Sequence, residues 1–176
     1  VALKSSAAGS TFSSGALNIT AGSTSLSVNV EAGKNTLADV SAAINAAGQS
    51  KGISAVIVND TSGQRLVISS TTTGAGNDIN VTATPDGITA GSVALTELQF
   101  DPVVNSAAPS STTGAAGIVS KAESAKFTVN GLAIVKPTNT IDDVISGVKI
   151  SLVSAQSSAD ILAGKTVDIA IAQDKN

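Results

Sequence analysis

Between its turn residues this chain is written in short runs of period two, and that pattern limits it to sheet. In TSLSVNV (residues 24–30), Leu26, Val28 and Val30 fall on one side of an extended chain and Ser25, Ser27 and Asn29 on the other, as in a strand with one buried face. ALNIT precedes it across AGS as a hairpin partner. ISAVIVND and QRLVISS alternate in the same way on either side of a hairpin connection at residues 60–63, and DINVTAT follows a Gly-rich stretch. Further on, AKFTV and LAIV flank Asn130-Gly131, and Asn-Gly between alternating apolar residues is the strongest short hairpin signal. VKISLVS and KTVDIAIAQD add two more strands. The expected class is α+β, mainly β: two β-rich domains of antiparallel sheets, each with a short helix packed on or beside the sheet.

One segment breaks the period. In NTLADVSAAINAA (residues 35–47), Leu37, Val40, Ile44 and Ala47 share one face of a 3.6-residue repeat. Thr36 is placed as N-cap with Asp39 three residues on, close to a capping box, and Gly48 is placed to take the left-handed position that ends the helix. A second segment, NTIDDV (residues 139–144), differs from NTLADV at two of six positions, with Thr140 and Asp143 in the capping places, and predicts a second helical turn. The echo has two readings: convergence on a good cap, or two related units that each run strand, strand, helix, strand, strand.

A chain of 176 residues buries about 70% of its unfolded surface on folding. With three Phe and no Trp, Tyr or Met, the core must come from Val, Ile, Leu and Ala, side chains suited to pleated surfaces. The lack of Cys and His removes thiolate and imidazole metal sites, Cys nucleophiles and any Ser-His-Asp arrangement. A net charge of −3 and a single arginine supply neither phosphate neutralisation nor stacking platforms for nucleic acid. No apolar run is long enough to cross a membrane as a helix, and no signal segment opens the chain.

What remains for chemistry is sparse. TTTGAGND lacks the Lys-Ser/Thr of a phosphate-binding loop and reads as a turn. Asp60, Asp78, Asp86 and Asp101 stand at strand ends without the spacing of a calcium loop. Lys51 and Arg65 read as a solvated loop and the outer face of a strand. No cofactor or metal is expected, and no catalytic residue. Residues 1–14 read as a linker or the frayed end of a truncated element. Residues 105–117, NSAAPSSTTGAAG, have nothing to bury and read as an interdomain connection.

The order of segments resembles the head region of bacterial flagellar filament cap proteins, the FliD family. The features that carry the resemblance are Thr36-Leu37 before a helix ending in Ile44-Asn45, the strand GISAVIVND, the turn ending in Gly63, RLVISS and TGAGNDI. In the second half they are the "VNG" hairpin at Asn130 and Gly131 and the NTIDDVI segment with Thr140 and Asp143. The Ile-Asn helix also occurs in some flagellins and other hook-associated proteins. The resemblance implies an outer head domain over residues 15–104, inserted into a split inner domain of residues 1–14 plus 118–176, with 105–117 as linker. It implies a piece of a longer, secreted protein whose helical legs lie outside this sequence. It further implies a non-enzymatic role at the flagellum tip: a ring-like homo-oligomer that guides exported flagellin into the filament, with host mucin as a further contact. In that setting residues 105–117 would absorb part of the cap's movement. Ile44 is expected to pack into the sheet, and Asn45 to hydrogen-bond either the helix's last carbonyls or the following loop.

Overall fold

A computed structural model describes residues 1–154 and 157–164. The first element block is a ββαββ unit: β1 Gly15–Ala21, β2 Thr24–Val30, α1 Leu37–Gly48, β3 Ile53–Asp60 and β4 Gly63–Ser70. β1 and β2 form an antiparallel hairpin that closes at Ala21 and Thr24. The first of its two turn residues, Gly22, has φ +60°, which glycine takes without steric cost. β5, Ile79–Pro85, pairs antiparallel with the other edge of β1, so the sheet order is β2-β1-β5. β3 and β4 pair with each other, and α1 packs against β2, β3 and β4.

The core follows from the alternation. Leu17, Ile19, Leu26, Val28, Ile53, Leu66, Ile68 and Val81 face inward from the strands and meet Leu37, Val40 and Ile44 of α1. The buried stripe of α1 is completed by Ser41 and Gly48, while Ala47, expected on the same face, is exposed. A one-turn 3-10 helix, Leu95–Leu98, adds Leu95 and Leu98 beside the two fully buried phenylalanines, Phe12 and Phe100.

Two stretches expected to be loose are built into this core. Residues 1–6 run antiparallel to β4: Leu3 N–H donates to Leu66 C=O at 2.9 Å, and Ser6 and Gln64 exchange two bonds of 2.8 Å. Leu3 and Phe12 are fully buried. On the far side of residues 1–6, Ala2 and Gly117 exchange two bonds of 2.9 Å, and Ser5 N–H donates to Gly114 C=O at 2.8 Å. Residues 105–117 are thus not a free connection, and residues 1–14 are not a frayed end. Residues 1–6 supply backbone groups to an edge of β4 that would otherwise be unpaired, and Gly114 and Gly117 in turn pair with the outer side of residues 1–6.

The compact division of the chain falls between Thr138 and Asn139 rather than within residues 105–117. β6 Ala125–Val129 and β7 Leu132–Lys136 belong to the first unit. Their approach is tied down where Ala122 N–H donates to the Asp78 carboxylate at 2.8 Å and Ala75 N–H to the Ser124 hydroxyl at 3.0 Å. Asn130 (φ 50°) and Gly131 (φ 79°) make the tight turn between β6 and β7; Asn130 is the one non-glycine residue at positive φ among the described residues.

The second unit holds β8 Thr140–Ile145, β9 Val148–Ser151 and a short α2 Ser158–Leu162. The helical turn expected at residues 139–145 is strand instead. Thr140 and Ile141 face Ser151 and Ile150 across the β8–β9 pair, Asp143 lies in the irregular stretch between Ile141 and Ile145, and Gly147 takes φ +77° in the turn. The expected strand KTVDIAIAQD lies outside the described residues apart from its approach.

Candidate functional site

Of the residues the sequence marks, Thr36, Leu37, Asp39, Val40, Ile44 and Asn45 lie on α1 and its cap, where the helix meets β3; Gly63 opens β4, Asn130 and Gly131 turn β6 into β7, and Thr140 and Asp143 lie in β8 of the second unit. Thr36 caps the helix: its hydroxyl accepts from Asp39 N–H at 3.2 Å, and the Asp39 carboxylate accepts from Thr36 N–H at 3.0 Å, so the capping box is complete. The Thr36 hydroxyl also donates to that carboxylate. Together the Thr36 hydroxyl and N–H hold the Asp39 carboxyl below the ordinary carboxylate range. Leu37, Val40 and Ile44 are all buried in the core.

Asn45 reaches neither the helix's last carbonyls nor the next loop. Its side-chain amide donates to Ala55 C=O at 2.8 Å and its carbonyl accepts from Ala55 N–H at 2.8 Å. The carboxamide therefore imitates a neighbouring strand, closing a two-bond ring on one residue of β3. The Ser41 hydroxyl donates to the same carbonyl at 3.1 Å, so one turn of α1 saturates Ala55. Ile44 beside it fills the core, which explains the side-by-side Ile and Asn: one packs the helix on the sheet and the other sets its height along β3.

Gly48 does not end the helix in a left-handed conformation. It has φ −87°, a 3-10 turn Gln49–Lys51 follows, and Gly52 at φ +68° makes the reversal. Gly48 is needed for closeness, because a Cβ there would stand 2.2 Å from Ile53 C=O. Gly63 has both requirements: φ +136°, and a Cβ would stand 2.3 Å from Ser6 C=O where residues 1–6 pair with β4.

A second polar cluster escaped the sequence reading. Arg65 is not on a solvated face; its side chain is 5% exposed. Its Nε donates to the Asp60 carboxylate at 2.5 Å, Nη2 to Ser110 C=O at 2.7 Å and Nη1 to Ala115 C=O at 3.2 Å. The Ser62 hydroxyl, then its N–H and the Arg65 guanidinium, hold the Asp60 carboxyl below its ordinary value against the burial that pushes it up. The planar guanidinium with five donors is suited to bind a carboxylate and two carbonyls at once. The available signal was that Arg65, the chain's single arginine, sits five residues past Asp60 across a hairpin, but its carbonyl partners lie far away in sequence.

The remaining candidates are structural. Asp78 and Asp101 accept main-chain N–H groups of Ala122 and Val103, at 2.8 Å each. In TTTGAGND, Gly74 and Gly76 have positive φ, and a Cβ on Gly74 would crowd Pro137. Lys51 donates to Ser25 C=O at 2.6 Å. Among the described residues no three acidic groups gather as a metal site, and no helix is long and apolar enough to cross a membrane. Of two surface depressions, one is lined by Ser14, Asn29 and Asp86 and the other by Ser10, Val93, Lys4 and Glu97, the last two ion-paired with each other.

This ββαββ unit with its Ile44-Asn45 clasp is of the flagellar hook type: residues 16–72, from β1 through β4, match the family model described as the flagellin hook IN motif. Residues 122–176 match the model of the flagellar hook-associated protein 2 C-terminus. The chain is 42% identical to the B-type flagellar hook-associated protein 2 of Pseudomonas aeruginosa, over 93% of this chain and 33% of that protein. It superposes on the crystal structure of FliD from Pseudomonas aeruginosa with a TM-score of 0.84 and 41% identity, covering 99% of this chain and 74% of that one. The flagellar cap protein FliD of Serratia marcescens matches with a TM-score of 0.59 and 26% identity, over 82% and 70% of the two chains. The chain belongs to the flagellar hook-associated protein 2 family, FliD. It spans about a third of the length of the curated relatives it matches.

Proposed function

We propose that this chain is the β-rich head portion of a flagellar filament cap, a structural protein without enzymatic activity that works outside the cell at the filament tip. In this reading the full-length protein forms a ring-like oligomer of itself and guides exported flagellin into place. The observation that carries the proposal is the pairing of two features in one chain: the hook-type ββαββ unit at residues 16–72 and, beyond it, the stretch from residue 122 that matches the hook-associated protein 2 C-terminus. Mainly sheet structure with small side chains suits a scaffold.

A second reading is favoured by one observation taken alone: the hook-type unit is also named for flagellin, so the chain could be the outer domain of another axial protein. Immunogold labelling of intact flagella with antibody against residues 1–138 separates the two. Gold confined to filament tips is the expected result. Gold along the whole shaft would assign the chain to a filament subunit, and flagella without gold would overturn both readings.

A further inference from the structure

Two stretches complete the outer side of β4 in turn, and different forces hold them. Residues 1–6 are fixed to β4 by the N–H groups of Leu3 and Ser6 and by the Leu3 side chain, which is fully buried in the core. The stretch outside them is anchored otherwise. Ile118 N–H donates to Ala107 C=O at 2.9 Å, closing residues 107–118 into an Ω-loop. Gly117 lets the neck of this loop close, since a Cβ there would stand 2.3 Å from Pro109 N. Ile118 at the base is buried, but within residues 107–117 Ala116 is the one apolar side chain packed on the core. What holds the loop down is polar. Arg65 donates to Ser110 and Ala115 C=O at 2.7 and 3.2 Å, the Thr61 hydroxyl donates to Ser111 C=O at 2.6 Å, and Ala2 and Ser5 donate to Gly117 and Gly114 C=O at 2.9 and 2.8 Å.

We propose that residues 107–117 are a latch that opens as one body while residues 1–6 stay on β4, with Arg65 as its lock. Bonds to water replace the main-chain bonds the loop gives up, and little apolar surface is uncovered, so opening costs far less than unfolding the core. Lifting the loop also returns the Arg65–Asp60 pair to water, which relieves the cost of burying two charges and strands neither of them. Opening bares the Arg65 guanidinium and the outward N–H groups of Ala2 and Ser5 together. The latch concerns residues 1–118 alone and does not rest on the assembly role proposed above.

Amide hydrogen exchange on this chain, read by NMR at increasing urea below the unfolding transition, tests the latch. Along residues 1–6 the N–H groups divide between two partners: Ala2 and Ser5 donate to the loop, Leu3 and Ser6 to β4. Ala2, Ser5 and Gly117 should share one opening free energy and one urea slope, both below those of Leu3, Ser6 and the core amide of Val81. Arg65→Lys keeps a cation beside Asp60 but loses the planar fork that holds two carbonyls at once, and should speed exchange at the three latch amides roughly tenfold. Thr61→Val removes only the hydroxyl bond to Ser111 and should speed them roughly threefold; it serves as the test should the lysine variant not fold. The proposal is overturned if Ser5 exchanges together with Leu3 and Ser6, or if the three latch amides open with separate slopes. Protection that falls steadily from Ser6 to Ala2 would be the fraying of a chain end and would overturn it too. Wild-type exchange at the latch amides in a folded Arg65→Lys variant would remove the lock, and the proposal with it.

Discussion

Asn45 is a surface-side residue whose amide does the work of a strand. Both of its hydrogen bonds go to Ala55, so truncating it strands two main-chain groups at the helix–strand contact as well as losing two bonds. An unsatisfied buried group costs about 1–3 kcal/mol, and water reaches this edge in part. Asn45→Ala should therefore destabilise the first unit by about 2–4 kcal/mol in urea denaturation, and Asn45→Asp, which keeps the acceptor and loses the donor, should fall between the two. A loss under about 0.5 kcal/mol for Asn45→Ala would refute the strand-mimic role. Arg65 makes the converse point. Its ion pair with Asp60 is one part of its bonding, and two further donors are spent on the carbonyls of Ser110 and Ala115. Removing one member of such a buried pair leaves the other uncompensated, which is why the residue type is demanding even where the pair adds little net stability.

At the scale of elements, NTLADV and NTIDDV place almost the same six residues in a helix and in a strand. The hexapeptides do not decide between the two; their C-terminal neighbours do. SAAINAAG continues the first with good helix formers and a buried Ile44 one turn on, whereas ISGVKIS continues the second with β-branched residues around a Gly147 turn. Only the first copy uses the pattern as a helix cap; the second lies in β8, so the order strand, strand, helix, strand, strand is not repeated there. That cap titrates. The Asp39 carboxyl is held below its ordinary value in the folded state, so it contributes stability above the unfolded value of about 3.9 and loses it as pH falls through the lower folded value. Thr36→Ala should cost about 1 kcal/mol at pH 7, and the difference between variant and wild type should shrink below pH 4 as Asp39 protonates. Thermal melts across the acid range check this; a gap that stays constant down to pH 2 would contradict the coupling.

At the scale of the whole molecule, the unit boundary at Thr138 and Asn139 means that residues 1–138 hold their own core. Expressed alone, they should unfold in one cooperative transition, with a thermal midpoint within about 4 °C of the same transition in the full chain; a multiphasic or absent transition would show that the core needs residues 139–176. Much of this fold is legible in the sequence. The period of two placed β1 to β5, the cap pattern placed the start of α1, and Asn130-Gly131 placed the β6–β7 turn, because each is governed by residues a few positions apart. The order of those segments likewise carried the family. What the tertiary structure alone decided is where long-range partners meet: residues 1–6 lying on β4, residues 110–115 held by Arg65, Asn45 aimed at Ala55, Gly48 kept small for Ile53. Small hydroxyl-rich stretches such as residues 1–14 and 105–117 carry no period to betray their pairing. Main-chain hydrogen bonds are blind to side-chain identity, so which backbone completes a sheet edge is settled by packing and not by local sequence.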